Sequence, residues 1–109
     1  MSTLVRRAPQ KKRDDEEKFR RLVKEWKEAK IHSSCIEDYA MHDAYQRIIG
    51  MGRDAVPYIL AELEKEPGPW FWALYAITEA EPVPEGDRGI VGKMSEAWIE
   101  WGRSNGYRW

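Results

Sequence analysis

The sequence predicts an all-α fold, a compact bundle of about five helices. Three observations lead there. Apolar residues recur at helical spacing in four separate stretches. No stretch alternates with period two between turn signals. Glycine and proline clusters fall between the periodic runs, where they punctuate the chain.

The first helix is expected from about Asp14 to Lys30. Its opening acids, Asp14, Asp15, Glu16 and Glu17, suit the unpaired N–H groups and positive dipole end of a helix. Phe19, Leu22, Val23 and Trp26 then form a stripe at i, i+3, i+4 and i+7. Ser33-Ser34 marks a break, and Ser34 with Glu37 has the spacing of a capping box. A second helical stretch carries Met41, Tyr45, Ile48 and Ile49 and stops at Gly50-Met51-Gly52. Asp54 is the next candidate N-cap, with Pro57 in the first turn, where its missing N–H leaves no helical bond unmade. Val56, Ile59, Leu60 and Leu63 repeat the stripe as far as Pro67-Gly68-Pro69.

A further helix is expected from Trp70 to about Ala80. Its segment from Trp70 to Ile77 is apolar nearly all round, which implies that protein surrounds it. Residues 81–86 read as a loop. The last helix is predicted from about Asp87 to Ser104, with Val91, Met94, Trp98 and Trp101 on one face. Asn105-Gly106 would cap it, leaving Tyr107 to pack back.

Length and charge bound the function. At 109 residues the chain suits a single domain, here residues 14–109, behind a tail of residues 1–13. Its 18 Lys and Arg against 19 Asp and Glu give a net charge of −1, so it is no polycation held on nucleic acid by charge alone. The charge is nevertheless segregated. Residues 1–13 carry Arg6, Arg7, Lys11, Lys12 and Arg13 and no acid, which leaves 13 bases and 19 acids, a net of −6, on the rest. With few large apolar groups, that segment reads as a disordered basic tail. No apolar run is long enough for a bilayer span, and no apolar stretch follows the basic start as in a secretory signal. The lone Cys35 forms no internal disulfide and fits a reducing cytoplasm.

The chain carries two resemblances. Ala55, Val56, Pro57, Ile59, Leu60 and Leu63, after the turn at Gly50-Met51-Gly52, resemble a HEAT-like helical repeat. Over residues 41–109, the blocks Met41-His42, Ala44 to Gly52, Trp70 to Leu74, Ala76-Ile77-Thr78, Ala97-Trp98 and Trp101-Gly102 resemble a group of small uncharacterised bacterial proteins. That resemblance implies a bacterial or phage origin and no activity. Where this chain has Asp43 and Arg53, the group's pattern has proline.

Chemistry-bearing residues are few. His32, Cys35, Asp38 and His42 are of metal-ligating types, but zinc sites favour paired Cys or His units, so no metal is expected. Cys35 and His42 could form a nucleophile pair, yet no oxyanion-forming turn or orienting acid accompanies them. Gly50-x-Gly52 follows a helix rather than a strand and lacks the rest of a phosphate-binding fingerprint. No basic recognition helix follows the turn, and Arg47 and Arg53 alone make a poor groove reader. Neither an enzyme nor a cofactor is expected.

Six tryptophans are the anomaly. Trp26, Trp98 and Trp101 lie on helical stripes and read as core. Trp70 and Trp72 point about 200° apart on a helix, so one packs inward while the other faces out. Large aromatics also mark binding hot spots. The expected function is therefore a protein-binding adaptor or inhibitor, with Trp70, Trp72, Tyr75 and Trp109 as contact residues and the tail as electrostatic support. The alternative is a nucleic-acid-associated accessory protein using the tail on phosphates. No aromatic residues interleave with its charges, so base stacking there is not expected.

Overall fold

The computed structural model describes the backbone of residues 10–29 and 36–109, and the side chains of residues 13–29 and 38–109. Arg6, Arg7, His32, Ser33, Ser34 and Cys35 lie outside the described residues, as do the side chains of Lys11, Lys12 and Glu37. The described residues form six α-helices and no strand, an all-α bundle. None of the described helices is long and apolar enough to cross a membrane.

Helix α1 spans Gln10–Glu28, four residues longer at its start than expected. Gln10, Lys11, Lys12 and Arg13 are all good helix formers, so the helix continues back through them. The acids from Asp14 onward therefore lie beyond the first turn, and residues 10–13, read from the sequence as tail, belong to the helix. Its stripe of Phe19, Leu22, Val23 and Trp26 is buried, each side chain contributing about 1.5–3 kcal/mol. The outer face is laced with i, i+4 pairs such as Arg20–Glu16 and Arg21–Glu25, which add little because they are exposed.

The expected second helix is two. Helices α2 (Ile36–Ala40) and α3 (Asp43–Gly50) are separated at Met41-His42. His42 takes an extended backbone, and its Nδ1 accepts a hydrogen bond from the Ala44 N–H at 3.0 Å, so the imidazole caps α3. Gln46 reaches back to donate to the Ala40 carbonyl at 2.6 Å. The break turns Met41 out of the stripe, and it is 66 % exposed rather than core.

After α3, Gly52 has φ +73°, a backbone that favours glycine, and opens a 3-10 turn over Gly52–Ala55. Helix α4 (Val56–Lys65) follows directly with Pro57 in its first turn. Its cap residue is Ala55, not Asp54, and no side chain caps it. Val56, Ile59, Leu60 and Leu63 are all buried. Helix α5 (Phe71–Thr78) is shorter than expected because Glu79 takes the left-handed conformation. Thr78 secures that end: its Oγ1 donates to the Leu74 carbonyl at 2.7 Å and accepts from the Ala80 N–H at 3.2 Å.

Helix α6 (Val91–Ser104) starts four residues later than expected. A 3-10 turn at Glu85–Asp87 and the extended backbones of Arg88 and Ile90 occupy the interval. Its end matches expectation. The Tyr107 N–H donates to the Gly102 carbonyl and the Gly106 N–H to that of Arg103, with Gly106 at φ +85°, a Schellman motif. Tyr107 stacks on Trp101, with ring centroids 5.6 Å apart.

In the core, α1 packs on α3, α3 on α5, and α4 on both α5 and α6. Four aromatics from three segments meet at the centre. Trp70 lies parallel to Tyr45 at 5.5 Å, with Trp26 4.8 Å and Phe19 6.2 Å from it. Such ring pairs add about 0.5–1.5 kcal/mol beyond burial. The Trp26 indole N–H donates to the Tyr39 carbonyl at 3.0 Å.

At the α4–α6 crossing, Gly102 is buried. A Cβ there would collide with Leu60 Cδ1 and come within 3.3 Å of the Trp109 ring. Leu60 is fully buried, so its Cδ1 makes room only by repacking against its own core neighbours. Gly102→Ala should overpack the seam by about 1–3 kcal/mol, offset by up to about 1 kcal/mol of helix propensity. A fall in Tm on the order of 5 °C is expected in thermal unfolding followed by circular dichroism. An unchanged or raised Tm would show that the two helices part freely at Gly102.

Candidate functional site

Helix α5 carries the site, and α3 holds it in place. The α5 cap residue is Trp70, which offers no side-chain hydrogen bond to the helix start. Tyr45 of α3 supplies the missing partner. Its hydroxyl donates to the Pro69 carbonyl at 2.7 Å and accepts from the Ala73 N–H at 3.0 Å. One oxygen thus ties down the chain entering α5 and one of its unpaired N–H groups. Burial pushes the Tyr45 hydroxyl well above the ordinary tyrosine range, against a smaller opposing effect of the Ala73 hydrogen bond. It remains neutral and able to donate.

With Ala73 and Leu74 turned into the core, the opposite side of α5 is open. Trp72 is 39 % and Tyr75 51 % exposed, and with Ala76 and Glu79 they form one outward stripe. The apolar composition of this helix implied enclosure, but only its inner side is covered. The about 200° between Trp70 and Trp72 resolves as the geometry requires. Trp70 is 3 % exposed, at the centre of the aromatic core, and cannot serve as the contact residue it was expected to be.

Beside Tyr75 runs an apolar groove of about 230 Å³. Phe71, Tyr75, Pro82, Val83, Met94 and Trp98 line it, and the Glu81–Arg88 ion pair (3.1 Å) closes its rim. Loop residues 80–83 form one wall and the first turns of α6 the other. Ile90 and Val91, at the start of α6, are nearly half exposed. A second depression, lined by Pro82, Pro84, Glu96, Glu100 and Trp101 among others, adjoins the groove across Pro82. The two cations here are both engaged, Arg88 with Glu81 and Lys93 with Asp87 at 4.0 Å. Glu79, Glu85, Glu96 and Glu100 are exposed and form no ion pair among the described residues.

Trp109 lies elsewhere, in a depression lined also by Glu64, Arg103 and Tyr107, none of which lines the groove. Its indole N–H donates to Glu64 at 2.9 Å, and the Arg103 guanidinium sits over its ring at 5.4 Å while pairing with Glu64. It is 37 % exposed but held on three sides.

The remaining expected residues are dispersed. Arg13 is exposed on α1. His42 is engaged as the α3 cap and Asp38 is exposed on α2. Gly50 and Gly52 serve the turn after α3. No group of three metal-ligating side chains occurs among the described residues.

The sequence reading missed the groove. The spacing of Val91 and Met94 places them on one helix face, and composition makes Pro82 and Val83 loop residues, but neither signal predicts a groove between them. A signal was present in Pro82-Val83-Pro84, an apolar segment directly after an all-round apolar helix, which suggests a chain folding back over that helix. Comparison of the chain with protein-family models, with curated proteins and with solved structures returns no match.

Proposed function

We propose that this chain is a non-catalytic protein-binding adaptor or inhibitor, acting in the cytoplasm, whose contact face is the outer side of α5. The observation that carries the reading is the exposure of Trp72 and Tyr75 on one turn of a helix anchored from behind by Tyr45 and Trp70. Aromatics of this kind bring large contact area at low conformational cost, and a rigid backing limits the entropy lost on binding. The apolar groove beside Tyr75 extends the face. The resemblance of residues 55–63 to a HEAT-like repeat agrees with this use, since such helical repeats present surfaces to partners.

The nucleic-acid alternative draws less support. Lys11, Lys12 and Arg13 are followed at once on α1 by Asp14, Asp15, Glu16 and Glu17, which dilute the positive field a phosphate would meet.

The test is differential capture from nuclease-treated bacterial lysate with tagged full-length protein and a Trp72→Ala/Tyr75→Ala variant. Both substitutions lie on the surface, so the variant should unfold within about 1 kcal/mol of the parent. A stoichiometric protein retained by the parent and reduced at least about tenfold on the variant is the expected result. Equal retention by both would remove α5 as the contact face. In a parallel capture without nuclease, retention of nucleic acid alone, lost at raised salt, would replace the adaptor with the alternative.

A further inference from the structure

We propose that the groove between α5, loop residues 80–83 and the start of α6 takes a basic segment of a partner protein, seated by apolar anchor residues. The inference rests on the adaptor reading and names the chemistry of its partner.

The floor fixes the first half of that chemistry. Phe71, Val83, Met94 and Trp98 offer carbon surface and almost no hydrogen-bonding capacity, so an apolar side chain gains there and a polar one is left unpaired. An inorganic or phosphorylated anion finds no free cation, because Arg88 and Lys93 are each held by a carboxylate.

The rim fixes the second half. Residues 79–100 carry six acids, Glu79, Glu81, Glu85, Asp87, Glu96 and Glu100, against two bases. After the two ion pairs are formed, four carboxylates remain without a partner among the described residues. Glu96 and Glu100 lie four residues apart on α6, where like charges repel; Arg103, which shares a depression with them, is paired with Glu64, and a further bound cation relieves the repulsion. Glu79 directly precedes the groove wall at Ala80, and Glu96 lines the depression that continues the groove past Pro82. A segment with Lys or Arg flanking its apolar anchors meets complementary charge along that path. An acidic segment meets repulsion from four groups. Complementarity of this sort governs partner choice and on-rate more than final affinity.

The experiment is a selection with a displayed library of random 12-residue peptides on the full chain, counter-selected on the Tyr75→Ala/Met94→Ala variant. That variant keeps every glutamate, so peptides held by charge alone are subtracted. Its circular dichroism and urea midpoint establish that it folds. The expected result is enrichment of peptides with Lys or Arg beside Leu, Met or aromatic residues. A selected peptide should then bind about tenfold more weakly to Tyr75→Ala and about threefold more weakly to Glu79→Gln/Glu96→Gln at low salt, the second difference closing at 0.5 M salt. Enriched peptides without basic excess would overturn the charge assignment and leave the adaptor reading standing. No enrichment over the variant would remove the groove as a peptide site, while the Trp72 and Tyr75 capture experiment judges the adaptor reading separately. Tyr75-dependent dimerisation of the chain alone in sedimentation would give the groove to a second copy and overturn the inference.

Discussion

Trp70→Ala is expected to cost about 3–5 kcal/mol of folding stability, whereas Trp72→Ala, two residues on, should cost about 1 kcal/mol or less. The contrast follows from orientation alone. Trp70 is 3 % exposed and sits between Tyr45, Trp26 and Phe19, rings contributed by α3 and α1. Its removal leaves a cavity that aromatic neighbours on two helices cannot close without moving those helices, and it ends the stacked pair with Tyr45. Trp72 has solvent on its outer side, so truncation opens no cavity, and alanine is the better helix former. Domains of this size are stable by about 5–15 kcal/mol, so Trp70→Ala removes much of the total and Trp72→Ala little. Urea unfolding followed by circular dichroism reads both, with Trp70→Phe as an intermediate in case the alanine variant does not fold. Equal losses at the two positions would mean that Trp72, too, is enclosed, and the proposed contact face would go with it.

How much of this was legible follows from what each residue's neighbours decide. The stripes of α1 and α4 were readable because periodicity alone specifies them: Phe19, Leu22, Val23 and Trp26, like Val56, Ile59, Leu60 and Leu63, are all buried. The end of α6 was readable because Asn105-Gly106-Tyr107 encodes its own cap locally. Boundaries set by a distant or unexpected partner were not. The break before α3 depends on His42 turning its imidazole onto the Ala44 N–H, a role shared by no periodic signal and masked by Met41 at stripe spacing. The end of α5 depends on Glu79 adopting a left-handed backbone that glutamate seldom takes.

The candidate site divides in the same way. That Trp70 and Trp72 must part was a consequence of helix geometry, but which of them turned inward depended on Tyr45, 25 residues earlier in the chain. The groove required a tertiary fact, the return of loop residues 80–83 beside Phe71 and Tyr75. Without it, Met94 has the spacing of a core residue and the wrong surroundings. Trp109 shows the converse. As an expected contact residue it reads as outward-facing and is 37 % exposed, but Gly102 leaves room for its ring and Glu64 and Arg103 hold it.

Tyr45→Phe is the second substitution from which a large effect is expected, and it isolates a single oxygen. The ring and its stacking on Trp70 survive, while the Pro69 carbonyl and the Ala73 N–H both lose their partner. A buried group left unsatisfied costs about 1–3 kcal/mol, so a loss of about 2–4 kcal/mol is expected in urea unfolding at neutral pH. The pH dependence supplies an independent check. Burial raises the Tyr45 hydroxyl above its ordinary value of 10.0, so the folded state favours the protonated form more than the unfolded chain does. Its contribution is therefore intact below pH 10 and lost as pH rises above 10 toward the folded value. The parent should lose up to about 1.4 kcal/mol per pH unit from this group above pH 10, and Tyr45→Phe should lack that part of the slope. Tyr58 is raised as well, by burial first and then by the charges of Glu16, Asp15 and Asp54 against Arg20, but it is present in both proteins and cancels in the difference. Hydrogen exchange separates the cap from the ring: the Ala73 amide should lose protection in Tyr45→Phe while the Ile48 amide on α3 keeps it. If both stability curves run parallel through pH 11 and Ala73 stays protected, the α5 entrance is held by packing against Trp70 alone, and the rigid backing of the Trp72–Tyr75 face must be sought there.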